Sequence, residues 1–171
     1  SRHFVKTLLK DFGVEVEFYP PRTNGRISEH FKNNTRLLYL ESPGSLTFEV
    51  QDVPTMSVLA RNHNIVTICD DTWGTALHYP VLALGADIVV EAATKYIAGH
   101  SDVNLGIAAA NGTIGKKLKS TAGALGICAG PEDLYLGLRG LRTMRLRLEQ
   151  SASNGFMLAQ ALAEHPLVVE V

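Results

Sequence analysis

Cysteine is scarce in this 171-residue chain: Cys69 and Cys128 are the only two, far apart and without a C-x-x-C partner. That excludes a disulfide framework and a thiolate zinc site. Apolar or small residues flank both, so each is expected to be a buried, inert thiol. No uninterrupted apolar stretch approaches the ~18 residues that span a bilayer, and no signal-peptide pattern is present. No membrane contact is therefore expected, and the cytoplasm is the expected location. Charge of one sign is also lacking, since 16 basic and 17 acidic residues leave a formal net charge of −1. A general nucleic-acid binder needs a basic surface to attract phosphates, so none is expected here. No G-x-G-x-x-G follows an apolar run, which leaves a nicotinamide site without support. An initiating methionine is missing too: the chain begins at Ser1 and stops at Val171 inside the apolar run 167–171. The expectation is a slice of a longer protein.

What remains is the composition of a globular domain, with 46% hydrophobic and 19% charged residues, which argues against disorder. Short β-rich runs alternate with helical stretches. Residues 2–12 suit a helix ending at Gly13, and 14–19 alternate as a strand cut off by Pro20-Pro21. A polar loop with a short helix is expected over 24–34. Strands are expected over 36–42, 65–71, 87–94 and 105–110. Asp52 is placed to cap a helix reaching about His63, with Pro54 in the first turn where its missing N–H costs nothing. Such apolar strands separated by helices indicate an α/β fold with a largely parallel sheet covered on both faces. From Pro131 to Glu164 a stripe of Leu134, Leu138, Leu141, Met144, Leu148, Ala152, Gly155, Leu158 and Leu162 steps by three or four. That predicts one long helix of about 50 Å, weakest at Gly155, followed after His165-Pro166 by a strand over 167–171.

In a parallel α/β sheet, ligands bind beyond the carboxyl ends of the strands. Those ends carry Glu41-Ser42, Asp70-Asp71-Thr72-Trp73 and Thr94-Lys95. Lys95, directly after an apolar strand and facing a crevice, is a candidate nucleophile, because desolvation frees its amine. A solvated loop lysine has the same local pattern. Side chains alternate along a strand, so only one of Asp70 and Asp71 can face that crevice. A carboxylate opposite a lysine-bound aromatic cofactor keeps a pyridine nitrogen protonated, as pyridoxal phosphate requires; an Asp-rich turn capping the next helix is the alternative. His100 and Asp102 lack a third ligand, so no metal site is expected. The segment 112–117 imitates a phosphate loop but has Ala110 and Lys117 where Gly and Ser or Thr belong. Arg139, Arg142, Arg145 and Arg147, interleaved with Leu, fit a structural or subunit-contact helix. Trp73 is expected to pack.

Three ordered motifs carry a resemblance. They are Asp70-Asp71-Thr72-Trp73, the stretch from Ala92 to Asp102 containing Thr94-Lys95-Tyr96, and Leu138-Arg139-Gly140-Leu141-Arg142-Thr143. Together they resemble the pyridoxal-phosphate enzymes of cysteine and methionine metabolism, and Glu41-Ser42-Pro43-Gly44-Ser45 with Trp73 resembles their bacterial cystathionine β-lyase branch. The resemblance implies the three-layer large domain of fold-type I enzymes: residues 1–130 as the central part of the cofactor-binding domain, 131–165 as a helix leading out, and 166–171 as the start of a C-terminal domain. It implies that Lys95 carries the cofactor as a Schiff base and Asp70 pairs with the ring nitrogen. Thr94 is implied to contact the phosphate. Tyr96 and the turn from Gly99 to Asp102 would be scaffold.

Where many relatives have Ser, this chain has Ala92; where many have Asn, it has Ser45 at the ring hydroxyl. Asp71 also stands where Asn is common and is expected to face outward. The implied activity is cleavage of cystathionine to homocysteine, pyruvate and ammonia by a homotetramer acting on sulfur amino acids. γ-Synthase and γ-lyase activities of the same family are alternatives, as is a non-catalytic α/β module binding a ligand or partner. The family's phosphate loop and stacking tyrosine are expected upstream and its carboxylate-binding arginine downstream, so the isolated chain is expected to be inactive.

Overall fold

The computed structural model describes residues 2–171. The chain opens with two short helices, α1 (Arg2–Lys6) and α2 (Leu8–Asp11), and a 3-10 helix (Asn24–His30) precedes the sheet. Strand β1 (Leu37–Glu41), helix α3 (Val53–Asn62), β2 (Val66–Asp70), helix α4 (Thr75–His78) and β3 (Ile88–Glu91) follow, then β4 (Ile107–Ala110). Helices α5 (Gly112–Ala124), α6 (Pro131–Leu141) and α7 (Met144–Ala163) complete the order. The four strands lie side by side in sequence order. β1, β2 and β3 are parallel, and β4 closes one edge antiparallel to β3. The α/β class read from the sequence is the class observed.

Helix α3 shows how the local sequence builds the core. Asp52 accepts a hydrogen bond from the Thr55 N–H at 3.1 Å, satisfying one of the donors a helix start leaves open. Val53, Met56, Ser57 and Ala60 then recur at helical spacing and are all buried. Val53, Met56 and Ala60 pack with Leu38, Leu40, Ile65, Cys69 and Val89 in one continuous core. Parallel register fixes which strand residues share a face, because Leu37 pairs with Val66 and Glu41 with Asp70. Leu38, Leu40, Thr67, Cys69, Val89 and Glu91 point into the core. The opposite face, with Leu37 and Tyr39, stays partly exposed within this chain, so the cover is less even than the apolar runs suggest.

Several expectations are corrected. Residues 14–19 form no strand, and Val14, Val16 and Phe18 lie exposed; alternation supplies the side-chain pattern, but no neighbour supplies the ladder. Residues 167–171 form no strand for the same reason. The single long helix is two, broken at Arg142-Thr143 rather than at Gly155, which sits inside α7 with open space around it. The break has a packing cause. The Gly140 carbonyl accepts from the Thr143 N–H, the Thr143 hydroxyl and the Arg147 guanidinium, and so leaves the helical ladder. Much of the leucine stripe is unburied, with only Met144 and Leu148 of it in the core. Cys69 is buried as expected, its thiol pushed up to about 12 first by desolvation and then by Asp71 and Asp70. Cys128, on the loop before α6, is exposed. Among the described residues, no helix is long and apolar enough to cross a membrane.

Gly140 docks α6 directly on the turn after β3. A methyl group there would overlap the carbonyl oxygens of Ile97 and Ala98, which are backbone and cannot swing aside. Gly140→Ala is expected to cost about 3 kcal/mol, at the upper end of ordinary overpacking. A thermal melt should show this as a fall of roughly 6–12 °C.

Candidate active site

The ends of β1, β2 and β3 open onto a cavity of about 1340 Å³ lined by Ser45, Asp70, Thr72, Trp73, Ala92, Thr94 and Lys95, with Arg147 entering from α7. Lys95, Asp70, Thr94, Ala92 and Ser45, the implied cofactor contacts, all border this one cavity.

Asp70 is the last residue of β2. Its Oδ1 accepts from the Thr72 N–H at 3.1 Å and the Thr72 hydroxyl at 2.6 Å, and its Oδ2 from the Tyr39 hydroxyl at 3.3 Å. Three donors thus fix the carboxylate's orientation before anything binds. The Tyr39 phenol is held well above its usual range, first by burial and then by the Asp70 charge, so it stays a donor. Thr72 also accepts from the Ala92 N–H at 2.8 Å, which ties the end of β2 to the residues leading into Lys95. Tyr39 was not among the sequence candidates, and Thr72 stood at the strand end with no role assigned. Tyr39 lies two residues before Glu41 on the same face, the available clue that it neighbours the crevice.

Lys95 lies in a turn just beyond β3. Its N–H donates to the Ala92 carbonyl at 2.8 Å, and its carbonyl accepts from the Gly99 N–H at 2.7 Å. The side chain is left exposed on the cavity wall. Thr94 is more committed. Its hydroxyl accepts from the Leu105 N–H at 2.8 Å and lies 3.1 Å from the Leu105 carbonyl, bracing the link between β3 and β4. Ser45 stands on the rim, its N–H donating to Glu41 at 2.9 Å. Ala92 adds backbone and a methyl group only.

Asp71 faces away from the crevice, as alternation requires, but into the interior rather than outward. It is fully buried and neither carboxylate oxygen has a partner. Burial, then the neighbouring Glu91 and Asp70, raise it to about 7. Glu91 is itself buried and raised, chiefly by desolvation. Trp73 does more than pack: it borders the cavity and stands edge-on to Phe48 at 5.0 Å and Tyr96 at 6.0 Å. His100 binds the Ala98 carbonyl through Nδ1 at 2.6 Å, and Asp102 pairs with Arg139. Among the described residues no group of three or more His, Cys, Asp or Glu could hold a metal ion. The segment that imitated a phosphate loop is the start of α5.

A primary amine and a fixed carboxylate on one cavity suit an aromatic aldehyde cofactor with a basic ring nitrogen. The amine can condense with the aldehyde, and the oriented carboxylate can hold a proton on the ring. The residues present therefore fit pyridoxal phosphate at its aldehyde and nitrogen ends. The Thr94 hydroxyl, already engaged locally, could donate to a phosphate only by releasing its present acceptor.

The chain is 46% identical over 162 residues to a candidate cystathionine beta-lyase of Rhizobium johnstonii, covering 95% of this chain and 41% of that protein. It is 35% identical over 173 residues to cystathionine beta-lyase MetC of Escherichia coli, covering 100% and 44%. An L-alanine/L-glutamate racemase of Wolbachia pipientis wMel is 36% identical, covering 99% and 42%. The crystal structure of cystathionine gamma-lyase from Lactobacillus plantarum complexed with L-serine superposes with a TM-score of 0.90 at 28% identity, covering 96% of this chain and 44% of that one. The chain thus spans under half the length of these relatives. The family model described as Cys/Met metabolism PLP-dependent enzyme matches residues 1–171, and the chain belongs to that family.

Proposed function

We propose that this chain is the lysine-bearing part of a pyridoxal-phosphate carbon–sulfur β-lyase that cleaves cystathionine, with water, to homocysteine, pyruvate and ammonia. Residues 1–130 serve as its cofactor-binding core, 131–165 lead out of it, and 166–171 begin a further domain. The observation that carries the reading is Asp70, locked by Thr72 and Tyr39 on the same cavity as the free amine of Lys95. The cystathionine beta-lyases among the relatives support β- over γ-elimination.

When bound, the cofactor supplies an electron sink for the substrate α-carbon. Lys95 would hold it and, once its amine is free, would take the α-proton from the substrate. Asp70 would keep the ring nitrogen protonated, and Thr72 and Tyr39 hold that carboxylate in place. Thr94 would contact the phosphate and Ser45 the ring hydroxyl, while Ala92 would bring no hydroxyl to the phosphate. The working protein is a homotetramer in the cytoplasm, with a sulfur amino acid as its substrate.

The gamma-lyase of matching fold favours a second reading, γ-elimination at the same residues. Product analysis of the full-length protein with cystathionine separates the two. The β-lyase reading expects pyruvate and homocysteine in equal amounts. 2-Oxobutanoate would establish the γ reading instead, and loss of substrate chirality without any oxo acid would overturn both.

A further inference from the structure

We propose that Arg147 is a positioning residue for Lys95, an inference that rests on the lyase reading above. Arg147 lies on α7, far from Lys95 in sequence, yet its guanidinium grips the lysine turn. Nη2 donates to the Ile97 carbonyl at 3.1 Å and to the Gly140 carbonyl at 2.8 Å, while Nε donates to the Thr143 hydroxyl at 3.1 Å. Nη1 lies against the α-carbon of Gly99, so closely that a β-carbon there would overlap it. Gly99 has φ +73°, which a side chain would also oppose.

Ile97 and Gly99 belong to the turn that carries the lysine. The Gly99 N–H closes on the Lys95 carbonyl at 2.7 Å, and the Ala98 N–H on the Ala93 carbonyl at 2.8 Å. Arg147 therefore joins two bodies, the turn that aims Lys95 and the α6–α7 junction. It also borders the cavity that Lys95 borders. Its bonds are charge-assisted and arranged in a planar fork, which a lysine ammonium cannot reproduce across two carbonyls and a hydroxyl. Arg139 reaches the same turn through Asp102, but both partners of that pair are more than a third exposed, and such pairs hold little. Arg147 is the brace that sets where the Lys95 amine points.

The test uses the full-length protein freed of cofactor, comparing wild type with Arg147→Ala and Arg147→Lys. Pyridoxal phosphate is added and growth of the cofactor's long-wavelength absorbance is followed, which times the attack of Lys95. Both variants should capture the cofactor about 10- to 100-fold more slowly, the scale set by small misplacements of a reacting group. The kcat should fall with little change in KM, and amide exchange at Ala98 and Gly99 should speed up. Capture at the wild-type rate by either folded variant would overturn the proposal, as would a lowered Tm with capture unchanged. If wild type itself captures no cofactor, the lyase reading fails. Faster Ala98 and Gly99 exchange in the variants would then still show the brace, and its absence would dismiss that as well.

Discussion

Lys95→Ala should lower kcat for pyruvate release by about 10³- to 10⁴-fold, the upper range for loss of one acid–base group, while leaving the melting temperature within a degree or two. The two halves of that expectation have separate causes. The Lys95 side chain is exposed and makes no hydrogen bond to another described residue, so its removal opens no cavity in the core. Its backbone keeps the turn, because the bonds to Ala92 and Gly99 are made by main-chain atoms. The reaction loses both its tether and its proton carrier. Steady-state rates with a coupled assay for pyruvate, together with a thermal melt, check both halves. A variant retaining more than a tenth of wild-type turnover would place the proton carrier elsewhere.

Asp71→Asn should stabilise the fold, and more so as pH rises. Asp71 is buried beside Glu91 without a hydrogen-bond partner, and its carboxyl is raised from 3.8 to about 7. A raised carboxyl means that the native state binds more protons than the unfolded state between those values. Stability contributed by the neutral form is thus complete below the unfolded pKa and is lost as pH rises toward the native one. Asparagine is neutral throughout and can donate to Glu91, which sits alongside because Asp70 pairs with Val90 in the register. Between pH 5 and pH 8 the advantage of the variant should grow by on the order of 2–3 kcal/mol. Chemical denaturation at the two pH values measures it. An advantage that stays flat with pH, or a variant less stable at pH 8, would show that Asp71 finds a partner in the working protein.

These two residues also show what the sequence could and could not disclose. The place of Lys95 on the cavity wall was legible because strand ends in a parallel sheet are where ligands bind, although a solvated loop lysine has the same local pattern. The cap at Asp52 and the extent of α3 to about His63 were legible because both depend on contacts a few residues apart. Asp71 was misjudged as outward-facing: alternation says which face a side chain takes, not whether that face meets water. The role of Tyr39 was not legible because it comes from parallel register, which places Glu41 beside Asp70 across a long stretch of chain. The break at Arg142-Thr143 escaped for a similar reason. The leucine stripe continues through it unchanged, and the Gly140 carbonyl, taken by Thr143 and by the distant Arg147, leaves the helical ladder there. The residues 14–19 and 167–171 carry a strand's pattern without a strand's neighbour. Local pattern was readable; long-range pairing was not.

The central claim is that Lys95 holds the cofactor with Asp70 set opposite it on one cavity. Borohydride reduction of the cofactor-loaded full-length protein, followed by digestion and mass spectrometry, tests it most directly. The account predicts one peptide carrying the reduced pyridoxal phosphate, modified at Lys95. Attachment at any other lysine, or no attachment, would contradict it.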